Sequence, residues 1–142
     1  MRILAVDLGS RRIGLAICSP EETVVVGAGV IERRPGDDAL PAVAQAARER
    51  DAEAFVVGHP INMDGTRGNK AAEAEEFAER LRKAVGVPVE MWDERLSSHA
   101  AEERLREVKM KRGQKRIHVN QVAAQVILEG YLDDRRTRGM SP

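Results

Sequence analysis

Residues 3–17 read ILAVDLGSRRIGLAI: two apolar runs, Ile3–Val6 and Ile13–Ile17, around a polar turn with a carboxylate, Gly9 and two arginines, and a second glycine, Gly14, just inside the second run. Each run is short, aliphatic and stopped by turn residues, the pattern of a core strand. Yet the first run ends in Asp7, and burying an unpaired carboxylate is costly. Two readings of Asp7 follow. It is a metal ligand at a strand end, or it caps the turn through backbone N–H groups, with Arg11 or Arg12 as a further ion-pair partner. The spaced glycines also fit a hairpin that offers backbone N–H groups to a phosphate. Nucleotide hydrolysis of the kind that needs two large closing domains is excluded by chain length.

Outward from this hairpin, TVVVGAGVIERR (23–34) is a third β-rich stretch ended by Pro35-Gly36, so the chain opens as an antiparallel meander. The pattern then changes. Leu40, Val43, Ala44 and Ala47 recur at helical spacing between Asp37 and Arg50, and AFVVG (54–58) is a buried strand. The polar loop HPINMDGTRGN precedes a helix over 70–85 with Ala74, Phe77, Ala78, Leu81 and Val85 on one face. VPVEMW (87–92) is a fifth strand, DERLSS connects it to a helix over about 99–109, and a last helix carries Val119, Val122, Ala123, Val126, Ile127 and Gly130 on one face. The order β-β-β-α-β-α-β-α-α combines antiparallel pairs with parallel crossovers. It predicts an α/β fold with a five-stranded mixed sheet and helices on both faces. Residues 1–134 read as one domain and 135–142 as a frayed tail.

Composition narrows the class. The 142 residues are 42% hydrophobic and 32% charged, with 23 basic and 23 acidic side chains and 3% aromatics. The core is therefore aliphatic, and any nucleic-acid surface must come from uneven distribution of a balanced charge. A single cysteine, Cys18, excludes an internal disulfide and fits a reducing cytoplasm. No run approaches the roughly 18 apolar residues of a membrane span, and MRILAVDLG enters a strand without a signal-peptide pattern.

Ligands of parallel α/β sheets gather at the carboxyl ends of strands. Asp7 ends the first strand, while Asp93 and Glu94 end the fifth. If those strands are neighbours, the carboxylates converge and need a cation, for which a hard divalent ion is suited. A surface ion-pair cluster is the alternative for Asp93, Glu94 and Arg95. Alternation sends Asp93 and Glu94 to opposite faces, so one of the two is the ligand. Basic residues gather elsewhere: between 104 and 116 lie Arg104, Arg106, Lys109, Lys111, Arg112, Lys115 and Arg116, against only Glu107. A helix C-terminus accounts for Arg106 and Lys109. It does not account for KRGQKR, which fits a phosphate backbone.

Four stretches, AVDLGSRRIGLA, VVGHPINMDGT, DERLSS and VNQVAAQVILEGYL, resemble in order and spacing the motifs of the YqgF (RuvX) family, over about residues 2–132. The resemblance implies an RNase H-like three-layer fold related to the junction resolvase RuvC. It implies a divalent-metal nuclease processing the 5′ end of pre-16S ribosomal RNA in the cytoplasm, with resolution of branched DNA as the alternative. Two Mg²⁺ or Mn²⁺ ions would activate water and stabilise the leaving oxygen. Asp7 matches the first acidic position and Asp93-Glu94 the second, with Glu94 favoured as the ligand.

The third acidic position departs from the pattern, because Asn120 stands where the family has Asp. Asn still offers a carbonyl oxygen but removes a charge, which weakens metal binding and shifts preference toward Mn²⁺. Asn120 also suits a helix N-cap, with Val119 and Ala124 as a hydrophobic staple. Asp64 of NMDG would compensate if its loop folded over the site; otherwise DG is a plain turn. Arg12 and Arg95 are phosphate or acid-orienting contacts, joined by Lys109, Lys111, Arg112, Lys115 and Arg116 as the nucleic-acid surface. His59, His99 and His118 are not read as catalytic. The missing charge at Asn120 leaves a non-cleaving RNA-binding assembly factor as the competing reading. Partners are thus structured RNA or branched DNA, with no membrane, for a monomer or a homodimer; resolving a junction would require the dimer.

Overall fold

A computed structural model describes residues 1–96, 103, 107 and 116–139. Its elements are β1 (Ile3–Leu8), β2 (Arg12–Cys18), β3 (Val25–Glu32), α1 (Leu40–Glu49), β4 (Ala54–His59), α2 (Asn69–Val85), β5 (Val89–Asp93), a 3₁₀ turn (Glu94–Leu96) and α3 (Arg116–Thr137). Apart from Glu103 and Glu107, the expected helix over 99–109 lies outside the described residues. So do Arg104, Arg106, Lys109, Lys111, Arg112 and Lys115; Arg116 is the first residue of α3.

One five-stranded sheet runs in the order β3-β2-β1-β4-β5. The β1–β2 and β2–β3 pairs are antiparallel, and β1–β4 and β4–β5 are parallel. Alternation along the strands builds two cores. Leu4, Val6, Ile13, Leu15, Ile17, Phe55 and Val57 pack against Val43 and Ala47 of α1 and Ala74, Phe77, Ala78 and Leu81 of α2. Ile3, Ala5, Ala16, Cys18, Ala54 and Val56 pack against Ala124, Ile127, Leu128, Tyr131 and Leu132 of α3. Strands buried on both faces need apolar residues at every position, which is why β1 and β4 read as unbroken runs. The result is the three-layer α/β arrangement expected.

Three details differ from the sequence reading. First, α1 begins at Leu40 and not at Asp37. The Asp37 carboxylate accepts the Arg34 backbone N–H at 2.8 Å, closing a turn over Pro35-Gly36, while Asp38 accepts the Leu40 N–H at 3.2 Å. Second, α3 begins at Arg116, so Asn120 is its fifth residue and no N-cap. Its buried residues are Ala124, Val126, Ile127, Leu128, Tyr131 and Leu132. Val126 and Ile127 belong to the expected stripe, while Val122 and Ala123 are only half-buried and the core face is centred about one residue further on. Third, α3 continues to Thr137, into the segment expected to fray. Its last turn is fastened to the β2–β3 connection: Arg135 donates to the buried Glu22 carboxylate at 3.1 Å, and Arg136 donates to the Glu22 carbonyl at 2.6 Å.

Candidate active site

Three positions on the α3 face of neighbouring strands carry the site. Asp7 of β1 pairs with Gly14 of β2, and one step beyond the Val6–Val57 pair lies Gly58 of β4. The two glycines leave openings on either side of the carboxylate. A Cβ on Gly14 would lie 2.0 Å from the Asn120 carbonyl oxygen, so the backbone of α3 rests directly on this strand. A Cβ on Gly58 would lie 2.9 Å from Glu94 Oε2 and 2.6 Å from Ile127 Cδ1. Glu94 therefore reaches across β4 toward Asp7. The strands bearing the two acids are not neighbours, contrary to the condition set from sequence. β4 separates them, and the missing side chain at Gly58 restores the approach.

The electrostatics follow from this crowding. Burial pushes the Asp7 carboxyl up to about 6, against a smaller lowering by Lys70. Burial, then repulsion from Asp7 and from Asp93, pushes Glu94 up to about 7. Asp93 faces a different partner. Its carboxylate accepts the Arg95 backbone N–H at 2.9 Å and the Arg95 guanidinium at 2.7 Å, and these bonds hold it below the usual range. The two carboxylates of DER thus divide, Asp93 to Arg95 and Glu94 to the Gly58 opening.

Arg95 and Glu94 share the wall of a pocket of about 510 Å³ with Asn62, Met63 and Lys70. Lys70 is the residue that sequence reasoning missed. It lies in the first turn of α2, where a cation opposes the helix dipole, and that mismatch was the available signal. Asp64 does not aim at the acids: it accepts the Thr66 N–H at 2.9 Å and hydroxyl at 2.6 Å, making the plain turn. His59 bonds Glu75 at 2.6 Å on the opposite face of β4. Arg12 shares the Asp7 face, two residues along β2 from Gly14, with Glu32 at 3.7 Å.

The model of the family described as RuvX, Holliday junction resolvase, matches residues 1–134. The chain belongs to the RuvX family. A relative from Anaeromyxobacter sp. (strain K), named "Putative pre-16S rRNA nuclease", is 47% identical over 95% of this chain and 98% of its own. One from Chloroflexus aurantiacus, of the same name, is 41% identical over 95% and 88%. Among solved structures, the RuvX chain is similar to T. thermophilus RuvC in complex with a Holliday junction substrate, at TM-score 0.67 and 18% identity over 99% of this chain and 98% of that one. It is also similar to the fowlpox virus resolvase–junction complex, at TM-score 0.59 and 10% identity over 94% and 98%. These likenesses show a shared RNase H-type resolvase fold, and the kinship makes this RuvX chain a nuclease.

Among its described residues, no three His, Cys, Asp or Glu side chains cluster to hold a metal ion. The set at the Asp7 edge is two carboxylates and the Asn120 segment, all oxygen donors of the hard type. Two half-buried acids with raised pKa values are the groups a divalent cation would relieve. The residues present fit such an ion. No helix among the described residues is long and apolar enough to cross a membrane.

Proposed function

We propose that this RuvX chain hydrolyses phosphodiester bonds of structured RNA in the cytoplasm, trimming the 5′ end of pre-16S rRNA, with Mg²⁺ or Mn²⁺ as cofactor. The observation that carries the reading is the meeting of Asp7 and Glu94 over Gly58, at the end of the sheet in a nuclease family. The rRNA substrate is the one that its relatives' names specify.

Asp7 and Glu94 would hold the cation, and the Asn120 amide oxygen would complete the set. When bound, a divalent ion supplies Lewis-acid stabilisation of charge on the phosphoryl oxygens and a more acidic water. Lys70 and Arg95 face the same pocket and bring positive charge to the phosphate being cut. Asp93 orients Arg95 through its paired hydrogen bonds. Asn120 contributes an oxygen without a charge, so the ion is held more weakly, and Mn²⁺ is favoured over Mg²⁺. The segment containing Lys109, Lys111, Arg112, Lys115 and Arg116 adds phosphate contacts on the substrate away from the cut.

The test is cleavage of a labelled pre-16S 5′ leader RNA and of a four-way DNA junction. Wild type, Asp7→Asn and Asn120→Asp are compared in Mg²⁺ and in Mn²⁺. The reading expects RNA cleavage by wild type, none by Asp7→Asn, and faster cleavage by Asn120→Asp in Mg²⁺. Junction cleavage alone would favour the resolvase reading, which the family description supports and which needs a dimer. Binding without cleavage under every condition would leave an RNA-binding assembly factor.

A further inference from the structure

At the same end of the sheet as Asp7, the β1–β2 turn and the exit of β3 bring two arginine pairs together. The Arg33 backbone N–H donates to the Arg11 carbonyl at 2.8 Å. The Arg33 guanidinium clamps the Gly9 carbonyl at 2.7 and 3.0 Å and reaches Glu73 at 2.8 Å. Between the pairs is an open cleft of about 300 Å³ lined by Arg11, Arg12, Glu32, Arg33, Arg34 and Asp37. Four positive charges face two negative ones in a chain whose net charge is zero. The negatives are engaged: Glu32 is 3.7 Å from Arg12, and Asp37 accepts the Arg34 backbone N–H. Arg33 is spent on holding the turn. The exposed guanidinium groups of Arg11 and Arg34 have no side-chain partner among the described residues.

We propose that this cleft binds the sugar-phosphate backbone of a double-helical arm of the substrate, with Arg11 and Arg34 as its free phosphate grips. The inference rests on the nuclease reading of the Asp7 edge and names a second contact surface for that substrate. Planar guanidinium forks match phosphate oxygens. Arg12 is two residues along β2 from Gly14, about 7 Å, on the order of two nucleotide steps of helix rise per strand. The cleft and the Asp7 edge thus lie at the same end of the sheet, with Arg12 on the Asp7 face between them. The occupant is duplex and not single strand because a single-strand groove stacks bases on aromatic rings. All four aromatic side chains of the chain, Phe55, Phe77, Trp92 and Tyr131, are buried in the two cores.

Fluorescence anisotropy tests this with a labelled RNA duplex bearing a 5′ single-stranded extension and, separately, the extension alone. Both are titrated with protein across a salt series in EDTA, so that nothing is cut. The Arg11→Gln/Arg34→Gln double variant is expected to bind the duplex about tenfold more weakly at low salt, with a log-log salt slope shallower by about two. Arg11→Lys/Arg34→Lys is expected to recover the slope, and Arg48→Gln on α1 to match wild type. An unchanged slope in the double glutamine variant would overturn the proposal. Equal weakening on the extension alone would overturn it too. Cleavage with metal is read separately. A wild type that cuts nothing fails the nuclease reading while the slope still decides the cleft, and a wild type that cuts while the slope is unmoved sinks the cleft alone.

Discussion

Asp7 and Glu94 put a measurable cost into the fold. In the metal-free protein their carboxyls hold protons up to about 6 and about 7, against ordinary values of 3.8 and 4.5. The folded chain therefore binds more protons than the unfolded one between about pH 4 and pH 7, and stability falls as pH rises through that window. Near pH 8 both charges are present and poorly neutralised. Asp7→Asn should then be more stable than wild type by about 1–2 kcal/mol, allowing for solvent screening at a half-buried site, with no difference near pH 4. Thermal unfolding in EDTA at the two pH values checks this. Adding Mn²⁺ near pH 8 should raise the wild-type Tm and leave Asp7→Asn unmoved. Lys70 tests the other sign of charge. Lys70→Gln should raise KM for the RNA about tenfold, and Lys70→Arg should restore it. A fall in kcat at unchanged KM would place Lys70 in the chemical step instead.

At the scale of elements, the proposed site depends on two strands that lack side chains where a helix and a turn come close. Gly14→Ala would drive a methyl group into the Asn120 carbonyl. Backbone cannot rotate aside as a side chain can, so α3 must lift. The expected cost is about 1–3 kcal/mol, with cleavage lost and RNA binding in EDTA kept. Gly58→Ala would meet Ile127 Cδ1 and the Glu94 carboxylate, both mobile side-chain ends. It should be cheaper in stability and as harmful to cleavage; urea unfolding beside initial rates separates the two. Much of this level was legible in the sequence. The unbroken apolar runs of β1 and β4 announced strands covered on both faces, and the acids read at strand ends, Asp7 and Glu94, come together at one edge of the sheet. The start of α3 was not legible. Asn120, between Val119 and Gln121, is as good a cap as it is an interior residue, and its place in the fifth position of α3 goes with a contact to Gly14, a residue 106 positions away. The glycines of the opening hairpin were read for their N–H groups, whereas Gly14 acts through the space it leaves.

Taken whole, the molecule is a sheet with each face closed by helices, and the closure on the α3 side is held at both ends. One end is the Asn120–Gly14 contact beside Asp7. The other is Glu22, nearly inaccessible to solvent, receiving Arg135 and the Met1 amine. This second fastening escaped a sequence reading, because Glu22 and Arg135 are 113 residues apart and each looks like an ordinary surface charge. A rigid α3 would make this fastening a condition of geometry at the acid pair. Burial alone would raise the Glu22 carboxyl, but hydrogen bonds from Arg135 and from the amine outweigh it and hold the group below its ordinary 4.5. Its contribution is therefore present above about pH 4.5 and lost as pH falls through the lower folded value. Glu22→Gln should cost about 3 kcal/mol near pH 7 by leaving a guanidinium without its counter-charge, or about 10 °C in Tm for a domain of this size. The gap between variant and wild type should close as the pH is lowered below 4. If α3 is one rigid lever, the variant should also lose cleavage at temperatures well below its Tm, and Arg135→Lys should recover part of both losses. Retained cleavage in a destabilised Glu22→Gln protein would show that the Gly14 contact alone positions Asn120.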